Sequence, residues 1–312
     1  MRIVCMGDTH YSSMRWKGDY LRRINHKFYT RLFRTFFAQE ADLYLSLGDI
    51  THFGALAEYR GVYSIIEEAK KDNQRFLQVV GNHDLYKFSK KSYQRLTNMD
   101  LYWSEDHPEA KLIFLDTSRA RHPGKKSGRM SMEQVLWLEK EFEEAEDKLC
   151  IVFAHHPISR IEILDDRGQV IEGFSLMDVL ETKDNGGIYV NGHLHKDRFS
   201  VKNNWAFLQF NDILDEPTIR IIEIDGNNVT LETVSCINEE YLEYSQEVAK
   251  AILTFRRTRN DEEFATIKGL NLDLSNEKVR IDQTIRTQTP YYSKEARIKL
   301  RMKLAHALYG VR

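Results

Sequence analysis

Five short clusters of Asp, His, Asn and Gly stand out in the sequence because these residue types bind metal ions. They are Asp8-Thr9-His10, Gly48-Asp49-Ile50-Thr51-His52, Gly81-Asn82-His83-Asp84, His155-His156-Pro157 and Gly192-His193-Leu194-His195. Carboxylate and amide oxygens mixed with imidazole nitrogens suit Mn, Fe or Zn. The three cysteines, Cys5, Cys150 and Cys236, are far apart and predict neither a disulfide framework nor a zinc knuckle. The clusters therefore predict a transition-metal site without thiolate ligands.

Each cluster directly follows a run of apolar residues that is typical of a buried strand. The strand-like runs are Ile3–Met6, Leu43–Leu47, Phe76–Val80, Leu112–Leu115, Cys150–Ala154 and Ile188–Val190, and helical patterns occur at Tyr20–Gln39, Glu58–Lys71 and Met132–Ala145. This alternation predicts a mixed α/β core. In open α/β sheets, ligands bind at the carboxyl ends of the strands. We therefore expect the five clusters to meet at one edge.

Taken one at a time, several clusters have a simpler explanation. Asp-x-His is short enough to occur by chance, Gly-Asp after a strand is commonly a turn, and His-His-Pro fits an ordinary loop. Gly-Asn-His-Asp and Gly-His-Leu-His specify more residues and are stronger signals. The simple explanations would all have to hold independently, whereas one metal site explains every cluster.

The chain after His195 has a different pattern. A hairpin is predicted from Ile219–Ile224 and Val229–Val234, joined by a turn at 225–228. From about Asn238 apolar residues recur at helical spacing, namely Tyr241, Ser245, Val248, Ile252 and Phe255, and we also predict a helix at Arg297–Leu304. These patterns predict a catalytic domain at 1–235 and a helical extension at 236–312, which would cap the site or form a dimer contact.

The composition describes an ordinary globular chain of 312 residues with 42% hydrophobic residues and a formal net charge of -2. No apolar run is long enough to span a membrane, and the first strand follows Met1 directly, so we expect no signal peptide and a cytoplasmic location. The part from Arg256 onward is basic, with 13 Lys and Arg against 7 Asp and Glu. No P-loop, G-x-S-x-G elbow or H-E-x-x-H motif is present.

The ordered set D-x-H, GD, GNHD, H and GHxH resembles the pattern of the calcineurin-like metallophosphoesterase superfamily. The run 131–138, SMEQVLWL, is similar to the class III cyclic nucleotide phosphodiesterase branch. The resemblance covers about residues 1–235. It implies a four-layer α/β/β/α sandwich of two mixed sheets flanked by helices, here followed by the C-terminal helical extension.

The resemblance also implies a role for each residue. Asp8, His10 and His195 would bind a first metal, Asn82, His155 and His193 a second, and Asp49 would bridge them. His83 would act as general acid or stabilise charge in the transition state, and Asp84 would orient it. His156 would support a ligand or touch phosphate, and His52 would face the substrate cleft or lie in a solvated loop. Arg15, Lys17, Arg22 and Arg23 would attract phosphate or simply be solvated.

These roles predict hydrolysis of a small-molecule phosphodiester or phosphomonoester by attack of a metal-bridging hydroxide. A cyclic nucleotide is the best single substrate hypothesis, and Mn or Fe, with Zn as an alternative, are the expected metals. A nuclease that uses the basic tail is the second hypothesis. A non-catalytic scaffold is the third, although all the ligand positions are intact.

Overall fold

The computed structural model describes residues 1–226, 228–236, 239–257 and 270–273, which form fourteen strands and six α-helices. The strands are β1 (Arg2–Met6), β2 (Leu43–Ser46), β3 (Phe76–Gln78), β4 (Trp103–Asp106), β5 (Ala110–Phe114), β6 (Gly128–Ser131), β7 (Leu149–Ala154), β8 (Ile161–Leu164), β9 (Gly187–Asn191), β10 (Arg198–Lys202), β11 (Trp205–Gln209), β12 (Thr218–Asp225), β13 (Asn228–Ser235) and β14 (Leu270–Asp273). The helices are α1 (Asp19–Ala38), α2 (Leu56–Ala69), α3 (Lys90–Thr97), α4 (Met132–Glu144), α5 (Leu176–Leu180) and α6 (Glu239–Ala251).

Two six-stranded sheets carry the fold. The first has the order β14-β13-β12-β1-β2-β3, and the second has the order β10-β11-β9-β7-β5-β4. The strands that precede the five clusters are parallel neighbours, with β1, β2 and β3 in the first sheet and β7 and β9 in the second. Antiparallel strands lie outside these parallel groups, as expected for mixed sheets.

The sheets pack face to face because successive side chains of a strand point to opposite faces. In β1, Ile3 and Cys5 face the apolar layer between the sheets, and Val4 faces the helices on the outer side. The outer face of the first sheet is covered by α1, α2 and α6, and that of the second sheet by α4 and α5. The result is the predicted four-layer α/β/β/α sandwich.

The structure confirms all six predicted strands and all three predicted helices, with ends that differ by two residues at most. The predicted hairpin is also present as β12 and β13. The shorter elements β4, β6, β8, α3 and α5 and the strands β10 and β11 were not predicted, because their apolar patterns are short. In the described part of the chain, none of the helices combines the length and apolar character that a membrane crossing demands.

The tail is helical only in part. Helix α6 matches the predicted helical spacing, and its Val248 is buried in the same apolar cluster as Phe28 of α1. The predicted helical extension also contains a strand, β14, which pairs antiparallel with β13 and extends the first sheet. The predicted helix at 297–304 lies outside the described residues. The domain boundary at 235 stays a prediction.

Candidate metal centre

The five clusters come together at the matching edges of the two sheets. His10 follows β1 of the first sheet and His195 follows β9 of the second, yet their Nε2 atoms are 2.9 Å apart. Near the other end of the site, His155 Nε2 lies 3.0 Å from Asn82 Oδ1. The expectation of one meeting point is therefore confirmed, with both sheets contributing to it.

The backbone at this site is strained. Four of the predicted ligands have a positive φ, namely His10 (48°), Asp49 (49°), His193 (73°) and His195 (54°). Left-handed conformations cost non-glycine residues about 1–3 kcal/mol each and concentrate at functional sites. Close packing adds a constraint, since a Cβ at Gly81 would lie 2.1 Å from the Asp49 backbone nitrogen and Oδ1. Only glycine fits there.

The first predicted metal site consists of Asp8, His10 and His195. His195 Nε2 lies 3.0 Å from Asp8 Oδ2 and 2.9 Å from His10 Nε2. Ligand atoms about 2.0–2.2 Å from a shared metal ion are separated by about 3–3.5 Å in octahedral or tetrahedral geometry. Two of the three separations are close to this spacing, and the third, from His10 Nε2 to Asp8 Oδ2, is 4.0 Å. Both Asp8 oxygens also accept the His193 backbone N–H, at 3.1 and 3.0 Å, which fixes the carboxylate.

The second predicted site is arranged around His155. Its Nε2 lies 3.0 Å from Asn82 Oδ1 and 3.2 Å from His193 Nδ1. Its Nδ1 donates to the Leu47 carbonyl oxygen at 2.9 Å, which leaves the Nε2 lone pair for a metal. The amide of Asn82 is oriented by its Nδ2, which donates to Tyr86 Oη at 3.2 Å. Asn82 Oδ1 and His193 Nδ1 therefore both lie within 3.2 Å of His155 Nε2.

Asp49 lies between the two sites. Its Oδ1 accepts the His83 backbone N–H at 2.7 Å, so Oδ2 is the oxygen that faces the imidazoles. Oδ2 is 3.3 Å from His155 Nε2 and 4.0 Å from His10 Nε2. One carboxylate oxygen next to a ligand of each predicted site has the placement of a bridging ligand.

The charges of the site favour a cation. Burial alone would lower the pKa of His155 and of His195. The neighbouring carboxylates have a larger and opposite effect and raise both pKa values to about 9. Asp49 and Asp8 act on His155, and Asp212 and Asp8 act on His195. Burial raises the pKa of Asp49, but the nearby histidines, His155 first, hold it well below its usual range. In the metal-free protein, His155 and His195 therefore carry protons that a bound metal would displace. These ligands fit a dinuclear centre.

The His83 side chain lies next to Asp49, whereas the Asp84 carboxylate is bonded to other residues. His83 Nδ1 donates to the His52 carbonyl oxygen at 2.6 Å, and His83 Nε2 lies 4.0 Å from Asp49 Oδ2 on the metal side. The Asp84 carboxylate instead accepts hydrogen bonds from Thr51, Gly81 and Gln78. The prediction that Asp84 orients the His83 ring is therefore wrong: Asp84 joins the loops that carry Asp49 and Asn82.

His52 and His156, for each of which the sequence left two roles open, are both buried. His156 Nδ1 is 2.9 Å from Thr117 Oγ1, and the centroid of its ring lies 4.3 Å from that of His193. His156 therefore packs against the predicted ligand His193 and helps to hold its ring in place. His52 is 1% exposed and lies beside His10, with their Nδ1 atoms 3.3 Å apart. It neither faces the cleft nor lies in a solvated loop, and both hypotheses for it are wrong.

Other residues at the site were missed by sequence reasoning. Asp212 is fully buried, and its Oδ2 lies 3.6 Å from His195 Nδ1. Asp212 lies shortly after the end of β11, just as the five clusters lie after the ends of their strands, and this position could have identified it as a site residue. Phe255, which packs against His195, follows no motif. Of the basic residues near the first cluster, Arg22 forms an exposed ion pair with Asp19, as expected for a solvated helix face.

Comparison with known proteins agrees with the geometry. A family model described as calcineurin-like phosphoesterase matches residues 1–197. The probable glycerophosphodiester phosphodiesterase GpdQ of Arcobacter nitrofigilis is 30% identical over 205 residues, which make up 63% of this chain and 72% of that protein. A dimetal phosphatase from Danio rerio has the same fold, with a TM-score of 0.59 and 14% identity over 76% of this chain and 97% of the other. The chain therefore belongs to the calcineurin-like phosphoesterases, a family of dinuclear-metal hydrolases of phosphoric esters.

Proposed function

We propose that the protein hydrolyses a phosphodiester of a small molecule at a dinuclear centre held by Asp8, His10, Asp49, Asn82, His155, His193 and His195. The observation that supports this best is the position of Asp49 Oδ2, which has a ligand of each predicted site within 4.0 Å. Two bound metals lower the pKa of water and stabilise both oxygens of an in-line displacement at phosphorus.

His83 has the geometry of a proton donor to the leaving group. Its side chain is 22% exposed, whereas that of Asp49 is 2% exposed, so His83 lies nearer the opening of the site. The hydrogen bond from Nδ1 to the His52 carbonyl fixes the ring and leaves Nε2 facing the site. A proton on Nε2 would pass to the departing alkoxide, which matters most when the alcohol is a weak acid.

A row of aromatic rings beside the site supports a substrate with a flat group, such as a cyclic nucleotide. The Phe53 ring lies 4.5 Å from that of His52 and 5.9 Å from that of Trp16, whose surface is 50% exposed. Lys87 Nζ lies 5.9 Å from the Phe53 ring. Trp16 is the exposed ring of this row, and an exposed aromatic ring can bind a nucleobase by stacking. The name of the relative from Arcobacter independently favours a diester.

The mixed oxygen and nitrogen ligands support Mn or Fe, with Zn as the alternative, since these metals accept both donor types. We also propose a cytoplasmic location and retain a homodimer through the extension as a hypothesis. A nuclease is the alternative function, supported by the basic residues after Arg256. If nucleic acid binds there, its affinity must fall steeply with added salt.

The test is a substrate panel with metal analysis of the same preparation. We expect about two metal ions per chain and faster hydrolysis of bis-p-nitrophenyl phosphate than of p-nitrophenyl phosphate. Among natural substrates, 3′,5′- and 2′,3′-cyclic nucleotides should react faster than glycerophosphodiesters if the aromatic row binds a base, and Trp16→Ala should remove that preference. Asp49→Asn is the control for metal-independent hydrolysis. Hydrolysis of single-stranded DNA in preference to all small diesters would instead support the nuclease.

A further inference from the structure

His52 has a hydrogen-bonding partner on each side of its ring. Its Nδ1 lies 3.3 Å from Nδ1 of His10. Its Nε2 lies 2.9 Å from the Leu253 carbonyl oxygen and 3.2 Å from Thr254 Oγ1. His52 thus connects a predicted ligand of the first metal to the segment that follows α6, about 200 residues later in the chain.

These contacts determine where the protons lie. A carbonyl oxygen only accepts, so His52 Nε2 carries the hydrogen that is donated to Leu253. In a neutral imidazole the other nitrogen is then an acceptor, and His52 Nδ1 accepts the hydrogen on His10 Nδ1. His10 is left with a lone pair on Nε2, the atom that faces His195 Nε2 at 2.9 Å. This is the tautomer that a metal ligand requires.

The same segment contacts the other histidine of the first site. The Phe255 ring stacks on that of His195, with centroids 5.6 Å apart and an angle of 21° between the planes. It also meets the His10 ring edge-on at 5.4 Å. Further along, Arg257 Nε binds Asp215 Oδ1 at 2.8 Å, and the Asp215 side chain is 6% exposed. The segment 253–257 is therefore anchored at both ends over the first site.

We propose that His52 is a positioning residue of the first metal site and that the segment 253–257 is a structural part of this site. Docking of the segment holds His52, and His52 holds His10 in its metal-binding tautomer. Metal binding and segment docking therefore stabilise each other, because coupling between two binding events is reciprocal. The proposal rests on the proposed metal centre but not on the substrate.

The first test compares two substitutions of His52 by their effect on metal affinity. His52→Leu removes the hydrogen bonds to His10 and to Leu253. We expect Mn²⁺ to bind about 10–100-fold more weakly at the first metal site, because this is the usual effect of removing a hydrogen-bonding partner of a metal ligand. His52→Gln offers both a donor and an acceptor and should restore most of this affinity. His107→Leu, which removes a histidine paired with Glu105, is the matched control and should bind Mn²⁺ as the wild type does.

The second test follows the segment directly. Arg256 and Arg257 are exposed, and trypsin needs the chain around them to leave the surface before it cuts. In the full-length wild type, saturating Mn²⁺ should slow cleavage after Arg256 by about the same 10–100-fold factor, as measured by mass spectrometry. In His52→Leu this protection should disappear. Phe255→Ala, in which His52 is not substituted, should weaken Mn²⁺ binding and protection together.

The outcomes separate this proposal from the proposed function. If His52→Leu binds two Mn²⁺ ions as tightly as the wild type, or if metal does not change cleavage after Arg256, the coupling proposed for the segment is wrong. If both tests give the expected results but the wild type hydrolyses no phosphoester, the proposed function is wrong and the coupling stands. If His52→Leu loses its far-UV circular dichroism signal, it is unfolded, and Phe255→Ala then provides the test. Unchanged Mn²⁺ binding and protection in Phe255→Ala would show that the coupling is absent.

Discussion

Asp84→Asn tests how the two loops that carry Asp49 and Asn82 are held together. Asp84 Oδ1 accepts from the Thr51 backbone nitrogen at 3.0 Å and from Thr51 Oγ1 at 2.9 Å. Asp84 Oδ2 accepts from the Gly81 backbone nitrogen at 3.0 Å and from Gln78 Nε2 at 3.1 Å. All four donors use the carboxylate only as an acceptor, and Asp84 is fully buried.

An asparagine at this position can accept on one side only. If its NH₂ group faces Thr51, the hydroxyl can turn and accept from it, and the Thr51 backbone N–H is left without an acceptor. At least one of the four hydrogen bonds is therefore lost. A buried donor left without an acceptor costs about 1–3 kcal/mol. Asp84→Asn should therefore lower the free energy of unfolding of the metal-free protein by about 1–3 kcal/mol. Because both loops then shift, Mn²⁺ binding should weaken as well.

Urea unfolding of the metal-free protein measures this effect, and Asp165→Asn is the control. Asp165 Oδ1 accepts the backbone N–H groups of Arg167 and Gln169 in an exposed loop, where water replaces any lost bond. The control should change the free energy of unfolding by less than about 1 kcal/mol. If Asp84→Asn is as stable as the control but loses rate only with poor leaving groups, Asp84 acts on His83 and our assignment of its role is wrong.

Three further predictions concern the metal centre. Gly81→Ala should lose bound metal on purification, because the new Cβ would collide with Asp49 at 2.1 Å; full metal content would refute this. His83→Ala should keep two metals and lose more rate with alkyl than with p-nitrophenyl leaving groups, and equal losses would exclude a general acid. His155 and His195, with pKa values of about 9, must release protons to bind metal, so Mn²⁺ affinity should fall by up to about tenfold per proton for each pH unit below 9. Calorimetric titrations in two buffers would detect those protons, and an affinity independent of pH would contradict the assignment.

The core of the site could be predicted because each ligand lies within a few residues of the end of its own strand. Each ligand cluster follows a buried strand, and parallel strands of one sheet end at a common edge, so the meeting of the clusters within each sheet follows from periodicity and sheet geometry. The contact of Asp8 with His195 also requires the two sheets to pack face to face, which periodicity does not predict. The glycines of the motifs have an equally direct reason, since Gly81 touches Asp49. The seven candidate ligands themselves came from the resemblance to the metallophosphoesterase pattern.

The parts that failed depend on contacts between distant segments. Asp84 follows His83 in sequence, but its partners come from the turn after β2 and from β3, which adjacency does not indicate. His52 was assigned to a cleft or a loop because the chain that buries it arrives about 200 residues later. Strand β14 was missed because a four-residue strand is set by its pairing with β13, and its own sequence has no clear period.

The most direct test of the dinuclear phosphoesterase is to titrate the metal-free protein with Mn²⁺ while measuring both bound metal and hydrolysis of bis-p-nitrophenyl phosphate. Two Mn²⁺ ions per chain should bind, and the rate should rise to a plateau as the second site fills, because Asp49 requires both metals to act as a bridge. Asp49→Asn should show neither the plateau nor the second ion. A wild-type protein that reaches full rate with one ion, or that binds two and hydrolyses nothing, would contradict the proposal.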